Sequence, residues 1–106
     1  MGQKQFKVEK LERAIIDWET KIHQMRQRSN YVEGDEIGDH NREAWYLYSE
    51  ANTREKYTIT LRECATNGEE FTRNTYNSKK NYNKKEQIHH HRARMAFLAV
   101  LEDVLP

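Results

Sequence analysis

Cysteine is nearly absent from this chain: Cys64 stands alone among 106 residues. No internal disulfide is possible, which suits a reducing compartment. Apolar side chains are scarce as well. Leucine, isoleucine, valine and phenylalanine together supply 19 residues, below the roughly 20% at which disorder becomes a live option. Net charge is small too, at +1, and disorder through charge repulsion needs a large one. The composition therefore points to one folded domain over residues 1–106 with a thin core. Such domains gain stability from a partner subunit, so self-association into a homo-oligomer is expected.

Long apolar runs are missing. The longest, Met95–Leu101 (MAFLAVL), is too short to span a bilayer. The first twenty residues carry Lys, Glu, Arg and Asp throughout and hold no secretory segment. A soluble, cytoplasmic protein without membrane contact is expected. Enzymatic fingerprints are missing as well: there is no G-x-x-x-x-G-K-[ST] loop, no G-x-G-x-x-G turn, no H-E-x-x-H and no C-x-x-C. Cys64 lacks any local feature that would activate a thiolate. His89, His90 and His91 fan out by about 100° per residue on a helix and cannot share one ion. The expectation is a protein with no catalytic residue, no cofactor and no metal.

What is present is helical patterning. Val8, Leu11, Ile15, Trp18, Ile22 and Met25 follow one another at spacings of three and four, uninterrupted by proline or glycine. That is one apolar stripe of a helix, widened by Ile16. Residues 29–40, SNYVEGDEIGDH, hold two glycines and four carboxylates and read as an acidic loop. They do not match the calcium-loop pattern. Residues 41–66 carry a second stripe through Ala44, Leu47, Tyr48, Ala51, Thr58, Leu61 and Ala65, broken around Arg54. Asn41 can cap its start and Asn67-Gly68 can stop it.

A competing reading exists for the middle of the chain. Residues 57–61, YTITL, alternate with period two, and Asn67-Gly68 is a favoured hairpin turn. An α+β domain with a hairpin around residues 57–77 is the alternative. The segments 4–29, 41–66 and 80–105 nevertheless have equal length, about 39 Å each as helices. The fold expected is all-α, an antiparallel three-helix bundle, with 7–27 and 84–104 its surest helices.

The charges are unevenly distributed. Residues 71–94 contain Arg73, Lys79, Lys80, Lys84, Lys85, Arg92 and Arg94 against Glu86 alone, leaving the rest of the chain acidic. Tyr76, Tyr82 and several asparagines are interleaved. Lysine and arginine neutralise phosphate, tyrosine offers a stacking face and asparagine can read base edges. Lys79–Lys85 are placed at a helix start, where the macrodipole gives cations no stabilisation. A non-enzymatic oligomer that binds a phosphate-bearing ligand is expected. The ligand would be a nucleotide signal held by sequestration, or RNA or DNA. The candidate ligand-binding residues are Arg73, Tyr76, Lys79, Lys80, Tyr82, Lys84, Lys85 and Arg92. The alternative is a small protein–protein inhibitor or adaptor acting through the first helix and the cluster Trp45, Tyr46 and Tyr48. In character, rather than in any motif, a short and highly charged chain of this kind resembles phage accessory proteins that interfere with host systems.

Overall fold

The computed structural model describes residues 5–81 and 88–106. Its described residues form four helices and no strand: α1 (Val8–Ser29), α2 (Arg42–Asn67), α3 (Glu69–Lys80) and α4 (Ile88–Val104). The all-α class expected from the sequence is the class observed. The three-rod picture is corrected, because residues 71–80, the start of the basic segment, belong to a helix of their own, α3. Among the described residues no helix is long and apolar enough to cross a membrane.

The stripe on α1 forms the core as its spacing requires. Leu11, Ile15, Trp18, Ile22 and Met25 are buried, whereas Ile16 is 63% exposed. Asn30 ends the helix in the left-handed conformation, φ 57°, which asparagine tolerates. The loop that follows is pinned by Asn41. Its side-chain oxygen accepts from the Gly38 N–H at 2.7 Å, and its amide donates to the Glu36 carbonyl at 2.9 Å. Asn41 thus occupies the cap position of α2 without a side-chain capping bond.

Chain direction follows from the cross-helix contacts. Ser29 donates to the Ala44 carbonyl, Arg26 pairs with Glu55, and Glu19 pairs with Arg62. Residues late in α1 meet residues early in α2, so the two form an antiparallel hairpin. The start of α1 meets the end of α4: the Lys7 N–H bonds to the Val104 carbonyl, and Lys10 pairs with Asp103 at 2.9 Å. Phe97 of α4 stacks on Tyr57 of α2 with centroids 4.4 Å apart. Phe97, Leu98, Leu101 and Val104 complete the core.

The period-two reading of residues 57–61 fails for a specific reason. A strand would turn Tyr57, Ile59 and Leu61 to one side. Instead Thr58 and Leu61, three apart, are buried, and Ile59 is 63% exposed. Helical period wins because Ala51, Thr58, Leu61 and Cys64 all face inward together.

The break in the α2 stripe also has a physical explanation. Arg54 lies inside the fold and pairs with Glu50 one turn earlier at 3.0 Å, both side chains about nine-tenths buried. The guanidinium stands 4.7 Å from the Trp18 ring, and the Trp18 indole N–H donates to the Arg54 carbonyl at 2.9 Å. A charged pair therefore fills the place where an apolar residue was expected. The resulting fold is long and thin. Its radius of gyration is 15.6 Å, against about 13 Å for a compact chain of this length.

Candidate functional site

Asn67-Gly68 does make a turn, but between two helices. Gly68, at φ 89° and ψ −166°, is the one residue separating α2 from α3. Only glycine holds that conformation without strain. Beyond it α3 folds back along α2. Thr72, fully buried, donates to the Cys64 carbonyl at 3.3 Å and the Gly68 carbonyl at 2.9 Å. Cys64 is buried beneath α3, and that burial pushes its thiol pKa up, against opposing hydrogen bonds with Thr72 and Thr75. A protonated, buried thiol is a packing group in this setting.

The candidate binding residues are divided between two sides of α3. Arg73, Tyr76 and Lys80 share the flank that faces α4. There Arg73 pairs with Glu69 at 2.9 Å, and the Tyr76 hydroxyl points at Glu102 from 3.5 Å. Lys80 covers the Tyr76 ring, its Nζ 5.3 Å from the centroid. With Lys80 already over it, the ring is not an open stacking platform. Arg92 is exposed on the first half of α4. Tyr82, Lys84 and Lys85 lie outside the described residues.

Lys79 stands apart from these. It is half-buried on the other flank, where it lines a groove of about 450 Å³ between α2 and α3. The other walls are Thr60, Phe71, Asn74, Thr75 and Ser78. Phe71, Asn74, Thr75 and Ser78 recur every three or four residues along α3, which places them on one face. Among the described residues Lys79 makes no ion pair. Thr60, Phe71, Asn74, Thr75 and Ser78 are not among the expected site residues. The helical spacing of Phe71, Asn74, Thr75 and Ser78 is the available signal, which the charges of the basic segment 71–94 mask.

One expectation about these lysines is reversed. Lys79 and Lys80 occupy the last turn of α3 rather than a helix start. At a C-terminus the macrodipole stabilises cations, so both have a structural reason to be basic.

The aromatic cluster lies toward the acidic loop. Trp45 and Tyr46 tilt together at 5.3 Å, Tyr31 and Tyr48 at 5.0 Å, and Tyr46 is 45% exposed. The apolar stripe of α1 is buried within the fold, and Ile16 beside it is exposed. Among the described residues no group of three His, Cys, Asp or Glu side chains is placed to hold a metal ion. The chain matches no family model, no curated protein and no solved structure. Any functional reading therefore stands on the geometry alone.

Proposed function

We propose that this is a non-enzymatic cytoplasmic protein that holds a small phosphate-bearing ligand, a nucleotide in class, in the groove between α2 and α3. The observation that carries the reading is Lys79, half-buried and without an ion pair among the described residues, in a groove of about 450 Å³ that Phe71 also lines. That volume falls within the roughly 300–1,000 Å³ of small-molecule sites. Phe71 supplies a stacking face, Asn74, Thr75, Ser78 and Thr60 supply hydrogen bonds, and Lys79 supplies the charge for phosphate. Lys80, one residue on, adds a second cation to the field. In this proposal the ligand is sequestered rather than converted.

Calorimetric titration with mono-, di- and cyclic nucleotides at low salt tests this. Lys79→Met keeps the aliphatic stem and removes the charge, and Phe71→Leu keeps the packing and removes the ring. Lost base stacking costs about 1–3 kcal/mol, so Phe71→Leu should raise Kd roughly five- to 150-fold with the fold intact. A polymer ligand would instead show a steep salt dependence, with a log–log slope near −0.7 to −0.9 per phosphate. Failure of the whole panel and of oligonucleotides to bind, or unchanged affinity in Lys79→Met, would sink the proposal.

A further inference from the structure

The hydrogen bonding across Gly68 is almost that of one continuous helix. Its N–H bonds to the Cys64 carbonyl at 3.1 Å, and its own carbonyl accepts from the Thr72 N–H at 3.0 Å. Both are i to i−4 bonds. Among the described residues, the bonds that would join Glu69, Glu70 and Phe71 to Ala65, Thr66 and Asn67 are not made. One residue's torsions account for this: turning Gly68 alone to helical values would close all three. α2 and α3 would then fuse into a single helix over residues 42–80, about 58 Å long.

Fusion would carry α3 and α4 away from their own hairpin. Thr72, Phe97, Leu98, Leu101 and Val104 would leave the core and need the same surface elsewhere. A second copy offers it. Because α3 runs antiparallel to α2, with Thr72 at Cys64 and Thr75 across the groove from Thr60, two fused helices can cross antiparallel about Gly68. Each α3 then lies on the partner's α2 in the register of the single chain. We propose that the protein exchanges α3 and α4 between two copies, with Gly68 as the hinge, to give a reciprocally swapped dimer.

The core contacts are the same in both states, so the hinge and the protein concentration decide between them. The closed hairpin keeps the chain monomeric, and the open one satisfies three more backbone bonds per chain. Exchange also makes the groove composite, with Thr60 from one copy and Phe71, Asn74, Thr75, Ser78 and Lys79 from the other. The inference holds whatever the groove binds.

Gly68→Ala is the direct test. A Cβ at this position meets no atom within 4 Å, so the substitution acts through the backbone alone. Alanine disfavours φ 89° and favours the fused helix. Light scattering after size exclusion should show the dimer dissociation constant falling at least tenfold. Three glycines inserted after Gly68 should relax the connector and return a monomer. A second reading comes from Thr75→Cys, which sets a thiol beside Cys64, the chain's one native cysteine. Oxidised dimer fractions run under denaturing, non-reducing conditions should be covalent dimers if the copies are exchanged. They should fall apart into internally bridged monomers if they are not. That measurement keeps Gly68, so it decides the matter even if Gly68→Ala does not fold. A Gly68→Ala protein that stays monomeric and folded, or a dimer whose disulfides are all internal, would overturn the exchange.

Discussion

The buried pair Glu50–Arg54 makes the sharpest claim about stability. Each side chain is only about a tenth exposed, the carboxylate meets the guanidinium at 3.0 Å, and the Trp18 ring covers the cation. Removing one partner leaves a charge with little water and no counter-charge, which costs about 3–5 kcal/mol in such sites. For a chain of this length, at about 0.05–0.15 kcal/mol per residue, total stability is on the order of 5–15 kcal/mol. Glu50→Leu should therefore consume a large share of the fold's margin. Replacing both members should not: Glu50→Leu with Arg54→Met exchanges two desolvated charges for apolar packing under Trp18, and the double variant should recover most of the loss. Urea denaturation gives the free energies, provided the slope m is the same in all variants. The coupling between the sites is read from the cycle. A single Glu50→Leu change costing under about 1 kcal/mol would show that the pair behaves like a surface ion pair. A double variant no better than the single would show that the charges themselves, rather than their burial, hold α1 to α2.

Two further outcomes are expected. Phe97 is fully buried and stacks on Tyr57, so Phe97→Ala should cost about 3–5 kcal/mol, measured by urea denaturation. Cys64 has a thiol pKa raised in the fold by burial, so folding favours the protonated form. Its contribution is fully present below the unfolded-state pKa and is lost as pH rises through the folded one. The denaturation midpoint should therefore drop more steeply above the ordinary thiol range in the native chain than in Cys64→Ala, and equal slopes would refute that linkage.

How far the sequence announces this fold depends on what fills each inward position. On α1 the inward residues are large and apolar, so the spacing of Leu11, Ile15, Trp18, Ile22 and Met25 reads directly as core. On α2 the same period is present but disguised, because Arg54 with Glu50 takes one inward position and Thr58 another. Hydropathy sees two charges and a hydroxyl; the fold sees a neutralised pair and a hydroxyl donating to the Arg54 carbonyl. α3 is the extreme case. Its fully buried residue is Thr72, whose hydroxyl is satisfied by two backbone carbonyls, and no apolar stripe marks the helix. A one-residue junction at Gly68 also looks, in sequence, like a turn between strands.

The same disguise changes which part of the basic segment argues for a ligand. Had its lysines stood at a helix start, their placement against the dipole would have required an outside anion. Lys79 and Lys80 instead stand where α3 ends, and the roughly −0.5 charge of a helix C-terminus is reason enough for cations there. Arg73 is matched by Glu69, and Lys80 lies over Tyr76. Basic composition is therefore a weak argument for Arg73 and Lys80. Lys79 is different because the dipole accounts for its charge but not for where its side chain goes. It lies half-buried at the wall of a groove whose other end Phe71 lines. An anion bound there feels two lysines against about half a unit of opposing dipole charge, which leaves a net attraction in a partly desolvated place. One cation and one ring lining the same groove are what favour a ligand there. Lys79→Met and Lys80→Met should separate accordingly in titration, the first weakening binding more than the second. Equal effects would mean that the field of the segment, and not the groove, attracts the ligand.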